Sequence, residues 1–197
     1  MSGRLFSPTV IIGLLFITSG AEAGGKKASV DPRFAATVNT RIGDKPVRLV
    51  LTGTALRTKY LLSVYSIASY VQEGVRVGDA GALARVDAIK QLHLIFERDV
   101  DGATLASSFR ESIGMSHPAP AFAAELATLE RYFLTHPVKQ GDHVRLTNIP
   151  GTGLVVQLNA QRGLVIPGAA FARAAWEPYL GRKNIGVAIQ TGLTSRL

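Results

Sequence analysis

Gly53 to Val71, GTALRTKYLLSVYSIASYV, is the stretch on which the fold turns. Two runs with the composition of buried strands flank Thr58-Lys59-Tyr60, and each carries one long polar side chain, Arg57 in the first and Tyr65 in the second. Were the chain straight, the eight residues from one to the other, at about 3.3 Å each, would hold them roughly 26 Å apart. A turn at Thr58 to Tyr60 makes the segments antiparallel neighbours, and the two side chains then converge if they share a face. A guanidinium offers forked donors and a phenol adds another on an apolar body, a combination suited to a carboxylate or an oxyanion. The residues alone equally allow Arg57 to be solvated at a strand end and Tyr65 to be ordinary sheet packing.

Working outward, Pro32 to Thr40 and Pro46 to Leu56 read as strands on either side of the turn signal Gly43-Asp44, and Leu61 to Gln72 as a third. Asp79 to Val86 reads as a short capped helix. Lys90 to Asp99 returns to strand, with Leu92, Leu94 and Phe96 directed to the core and Gln91, His93, Ile95 and Glu97 to the other face. Asp101 caps a helix running through Ile113 and stopped by Gly114, with Leu105, Phe109 and Ile113 as its apolar stripe. A longer helix, with Pro120 at its start, runs to Thr135 and carries Phe122, Leu126, Leu129 and Phe133 on one face. Asp142 to Ile149 and Leu154 to Asn159 form a hairpin through Pro150-Gly151-Thr152-Gly153, and Leu164 to Ile166 adds a short strand. Gly168 to Leu180 reads as an alanine-rich helix and Asn184 to Leu193 as a last one. Strands and helices come in blocks rather than in regular alternation, which gives an α+β fold built on an open-faced antiparallel sheet with helices on one face.

The 197 residues suffice for one domain, placed at residues 32–197 behind a polar, glycine-rich lead-in at 24–31. Residues 1–23 have the pattern of a signal peptide: Arg4, then the apolar run Val10 to Thr18, then Ala21-Glu22-Ala23 as a small-x-small cleavage site. As a helix the run would reach only about 14 Å, against a bilayer core of about 30 Å. An exported protein, periplasmic after cleavage near Ala23, is expected; an uncleaved anchor is the alternative. With no cysteine, disulfides, thiolate metal sites and a lipid-bearing Cys are excluded. The formal charge of +8 suits an anionic ligand or transient contact with an anionic membrane surface. Lys and Arg are scattered singly rather than in runs, which argues against nucleic acid. No cofactor motif is present: Gly151-Thr152-Gly153 lacks the third glycine and following helix of a dinucleotide site. His93, His117, His136 and His143 show no metal-ligand spacing and read as separate surface residues. Glu97 and Asp99 read as a solvated strand edge, and Ser107, Ser108, Arg110, Glu111 and Ser112 as a polar helix face.

Gly53 to Lys59 followed by Val64 to Val71 resembles the G-x-x-x-R-x-K and V-Y-x-x-x-x-Y motifs of the chalcone isomerase-like proteins. The likeness continues through Leu92 to Asp99, Gln140-Gly141-Asp142 with Ile149-Pro150-Gly151-Thr152-Gly153, and Phe171 with Tyr179-Leu180-Gly181, covering about residues 32 to 197. The resemblance implies the same open-faced sheet with a ligand cleft under its helices. It also implies two candidate uses: the plant enzymes close a chalcone to a flavanone, and non-catalytic relatives bind fatty acids. In both, the arginine matching Arg57 faces the ligand. Tyr65 falls where the enzymes carry a threonine and the fatty-acid binders a tyrosine. The enzymes' tyrosine and asparagine would fall near Thr104 and Glu111 or Ser112, yet Asp101 to Ile113 contains neither residue type. The expectation is therefore a binding protein for a fatty acid or similar amphipathic carboxylate, held by Arg57 and Tyr65 against a wall of Leu105, Phe109, Phe122 and Leu126. The alternative is an intramolecular lyase with Arg57 as electrophile and Tyr65 as proton donor.

Overall fold

The computed structural model describes residues 30–197, so the expected signal peptide and most of the lead-in lie outside the described residues. Seven strands follow one another as a meander, each hydrogen-bonded to the next in sequence and all antiparallel. They are β1 (Thr37–Ile42), β2 (Lys45–Lys59), β3 (Leu62–Gln72), β4 (Lys90–Phe96), β5 (His143–Ile149), β6 (Gly153–Leu158) and β7 (Leu164–Pro167). The helices are α1 (Ala80–Arg85), α2 (Gly102–Gly114), α3 (Ala123–Thr135), α4 (Ala169–Ala174), α5 (Glu177–Leu180) and α6 (Val187–Leu193). This is the expected α+β architecture. Asp79 and Asp101 cap α1 and α2 by accepting hydrogen bonds from the Ala82 and Thr104 amides.

Alternation along each strand divides the apolar residues between two faces. Leu92, Leu94 and Phe96 join Ile67 beneath the helices, where Leu105, Phe109, Phe133 and Trp176 complete the main core. The other face carries a smaller cluster of Leu49, Leu51, Ala68, Tyr70 and Ile95. Pro32 to Ala36, expected as strand, instead turns back over this second face; the Phe34 amide donates to the Asp31 carbonyl and the Phe34 side chain is buried in the cluster. Of the expected lead-in, Val30 packs on the same cluster and the Asp31 amide donates to Thr54 Oγ1. Gly168 to Leu180, expected as one helix, is two: Pro178 has no amide proton to continue the ladder, and it occupies the first turn of α5. Pro120 lies ahead of α3, whose N-cap is Phe122 in a left-handed conformation.

One irregularity in β2 sets the geometry of everything after it. Leu51 pairs with Tyr70 but Gly53 pairs with Ser69, so Thr52 is an extra residue on β2. Its hydroxyl bonds the Ser69 and Leu193 carbonyls, and its own carbonyl accepts from the Arg196 amide. Before the bulge Leu49 and Leu51 face the outer cluster; after it Ala55 packs on the main core. Gly53, at φ 152°, lets α6 lie directly on β2: a Cβ there would collide with the Gly192 carbonyl, and one on Gly192 would stand 2.5 Å from the Thr54 carbonyl.

Lys90, at the start of β4, is fully buried. Its Nζ donates to the Leu83 and Ala84 carbonyls at the end of α1 (3.0 and 2.5 Å) and lies 5.1 Å from the centroid of the Trp176 ring. Burial pulls its pKa from 10.5 down to about 8, against the opposing charge of Asp87.

Two consequences are measurable. Gly53→Val should cost about 2 kcal/mol or more in denaturant unfolding, because the backbone of α6 cannot retreat from β2 without losing its other bonds there. Between pH 8 and 10.5 the unfolded chain keeps a proton on Lys90 that the folded protein has released, so stability should rise with pH across that window, by up to about 3 kcal/mol. The rise should be missing from Lys90→Met, and identical pH profiles for the two proteins would refute the burial of a charged amine.

Candidate functional site

Arg57 and Tyr65 stand directly opposite each other on β2 and β3. Because of the bulge at Thr52, Arg57 shares the helix-covered face with Ala55, while Tyr65 shares it with Ile67 from β3. The connecting turn falls at Tyr60-Leu61 rather than at Thr58 to Tyr60, and β2 accordingly runs on to Lys59. The convergence expected of the two side chains is nevertheless present.

Arg57 is half-buried, and its Nη1 donates to the backbone carbonyl of Ile185, in the segment between α5 and α6, at 2.7 Å. No ion pair among the described residues includes it. Tyr65 packs its ring on Phe96, with centroids 5.6 Å apart, and its hydroxyl neighbours that of Tyr179 from α5. Burial pushes both phenols above their ordinary pKa; the Arg57 charge pulls each back in part, and the Tyr179 hydrogen bond favours the ionised form of Tyr65. The positive charge thus lies beside two neutral hydroxyls.

Behind these groups is a cavity of about 40 Å³, bounded by Tyr65 and Leu94 from the sheet, Tyr179 from α5, and Leu105, Ser108, Phe109 and Ser112 from α2. Phe109 stacks on Phe133 of α3 with centroids 5.2 Å apart. Of the site residues expected from sequence, Tyr65, Leu105 and Phe109 line this cavity and Arg57 flanks Tyr65. Phe122 and Leu126 do not line it. Phe122 packs against Phe171 and His117 at the start of α3, and Leu126 is buried within the main core. Ser108, Ser112 and Tyr179 were not anticipated, although the serines stand three and seven residues after Leu105, the spacing that puts them on the face of Leu105 and Phe109. Thr104 and Glu111 are exposed, and Thr104 bonds its own N-cap, Asp101.

Two other expectations need correction. His93 and His143 are not separate surface groups: the sheet brings His93 Nε2 to 2.7 Å from His143 Nδ1 on the face away from the helices. Burial, with the charges of Arg145 and His143, lowers the His93 pKa to about 3. Among the described residues no group of three or more His, Asp or Glu could hold a metal ion. Glu97 is not a free edge carboxylate; it accepts from Arg33 at 2.6 Å and Ser66 at 2.7 Å, which holds it below the usual carboxylate range.

An antiparallel meander whose helical cover meets it at an arginine, two phenols and an apolar wall defines a small α+β protein with one amphipathic internal site. The family described as chalcone isomerase-like matches residues 34–193, and the chain belongs to it. Among solved structures, a fatty-acid binding protein of Arabidopsis thaliana is similar, with a TM-score of 0.62 and 17% identity over 85% of this chain and 95% of that chain. At that identity the likeness is one of fold. A search of curated proteins finds no match.

The burial of the phenols can be read directly by ultraviolet titration. Of five tyrosines, Tyr65 and Tyr179 should ionise late, as should Tyr70, which burial raises to about 12. Tyr65→Phe and Tyr179→Phe should each remove one late phenol. Since the folded protein keeps protons that the unfolded chain loses above pH 10, stability should fall there. Phenols that all ionised together in the folded protein would contradict the closed site.

Proposed function

We propose that the protein binds a fatty acid or a similar amphipathic carboxylate, with the carboxylate at Arg57 and Tyr65 and the alkyl chain along Leu94, Leu105 and Phe109. The observation that carries this reading is a half-buried guanidinium, free of any ion pair among the described residues, beside the partly buried Tyr65 and the buried Tyr179 at an apolar cavity. A carboxylate would give Arg57 a charge-assisted hydrogen bond, about twice as strong as one to a neutral acceptor such as the Ile185 carbonyl. The fatty-acid binding protein among the similar folds agrees with this reading.

The cavity of about 40 Å³ is far below the roughly 300 Å³ of the smaller ligand pockets, so binding requires α2 to move away from the sheet. α2 packs its stripe of Leu105, Phe109 and Ile113 on the sheet face and also lies against α3 and α5, so lifting it costs part of that burial. Alkyl burial at about 0.8 kcal/mol per CH₂ then supplies most of the affinity, and Arg57 sets the orientation.

The alternative, ring closure of a chalcone-like phenolic enone with Arg57 as electrophile, calls for proton-handling groups across the cavity from Tyr65. The α2 wall there consists of Leu105, Phe109 and two serine hydroxyls, which supports binding over isomerisation. The pattern Arg4, Val10 to Thr18 and Ala21-Glu22-Ala23 supports export, with the ligand met outside the cytoplasm.

Native mass spectrometry of the purified protein should find a fatty acid bound. After delipidation, Arg57→Ala should bind it roughly 10 to 100 times more weakly, the worth of about 1.5–3 kcal/mol for a hydrogen bond to a charged group. Equal lipid carriage by the wild type and Arg57→Ala would sink the proposal.

A further inference from the structure

The tip of the β2–β3 hairpin breaks two rules at once. Tyr60 and Leu61 both have left-handed backbone angles, φ 50° and 64°, at positions where a two-residue hairpin turn favours Asn and Gly. Both are also in solvent: Leu61 is 101% exposed and Tyr60 88%, with Leu62 about half exposed beside them. Bulky apolar residues in a conformation that disfavours them, and without burial in return, indicate a contact made elsewhere.

The charges at this end of the sheet are cationic. Lys59 adjoins the tip, and Arg98 is exposed just beyond the end of β4. The neighbouring acids are already paired, Glu97 with Arg33 and Asp99 with Lys139. The chain as a whole carries +8.

We propose that this hairpin tip is a membrane-docking element, inserting Tyr60, Leu61 and Leu62 into the interface of an anionic bilayer while Lys59 and Arg98 lie against its headgroups. A tyrosine between leucines suits that layer, with an apolar body and a polar end. The depth is consistent. Arg57 and Tyr65 lie two ladder positions behind the Lys59–Leu62 pair, so at about 3.3 Å per residue they stand roughly 10 Å behind the tip. Interfacial elements sink about 5–10 Å. Docking therefore sets the Arg57 end of the site at the headgroup layer, where the carboxylate of a membrane-borne fatty acid also resides. The docking itself does not depend on what the site binds.

The absence of cysteine allows a site-specific test in the full chain. Leu61→Cys is labelled with an environment-sensitive nitrobenzoxadiazole dye, with Ala127→Cys on the exposed side of α3 as the control position. Vesicles rich in phosphatidylglycerol should raise the emission severalfold and shift it to the blue at position 61 and not at 127, and the response should fall when Leu62→Asp is added. Since the dye reports only its own position, a chain held to vesicles by another segment gives no signal at 61, and that result overturns the proposal. An equal response to phosphatidylcholine vesicles overturns its electrostatic half. A rise with protein concentration in the absence of vesicles assigns the tip to a second copy of the chain, which also overturns it.

Discussion

A single extra residue in β2 decides which side chains meet beneath the helices. Side chains on a strand alternate between faces, so Leu49, Leu51 and Arg57 would all point the same way in an unbroken β2. The bulge at Thr52 inverts the alternation. Leu49 and Leu51 stay in the outer cluster, and the segment beyond turns Ala55 and Arg57 under the helices, opposite Tyr65. From Tyr65 on, past the skipped Val64, β3 supplies the matching face: Ile67 and Val71 in the main core, Ala68 and Tyr70 in the outer cluster.

The same bulge anchors the C-terminal elements that complete the site. Thr52 bonds the end of α6, and Gly53 admits it to contact. The segment between α5 and α6 is thereby held where the Ile185 carbonyl meets Arg57, while Tyr179 reaches Tyr65 from α5. The Ile185 amide donates back to the Pro178 carbonyl, and Gln190 Nε2 to the Leu180 and Gly181 carbonyls, so these elements are coupled to one another as well as to β2. Thr52 and Leu193, 141 positions apart in sequence, are in this way part of the geometry around Arg57.

The strands from β2 on and the starts of α1 and α2 were legible because they rest on local signals: alternation in Lys90 to Phe96, the caps Asp79 and Asp101, the turn at Pro150 to Gly153. The pairing of Arg57 with Tyr65 was legible as well, since any tight turn between them brings them together. The bulge was not. An isolated glycine within a strand run hints at one, but whether Gly53 marks a bulge or a close approach depends on α6, far away in sequence. The hairpin tip was misplaced for a related reason, as Tyr60-Leu61 carries none of the Asn or Gly that normally announce such a turn. Ser108 and Ser112 were passed over because a polar stripe on a helix is ordinarily solvated, and only the tertiary fold shows it shared with Leu105 and Phe109. The histidine pair and the Arg33–Glu97 contact join residues 50 and 64 positions apart, beyond any local pattern.

The Arg57 guanidinium already has a partner without a ligand, and this bears on how affinity would be set. Arg57 donates to the neutral carbonyl of Ile185, Tyr65 and Tyr179 lie side by side, and Phe109 stacks on Phe133. A carboxylate entering here replaces the Ile185 contact by a stronger one but leaves that carbonyl to find water, so the net gain is smaller than the new bond alone. An alkyl chain gains its burial only after Leu105 and Phe109 have surrendered part of theirs. Affinity is then a difference between two packings of α2, closed on the sheet or lifted over a ligand, and the closed packing lowers the apparent affinity by the fraction of time it is populated. On the proposed reading, residues that hold α2 shut, Phe109 against Phe133 foremost, would govern affinity as much as Arg57.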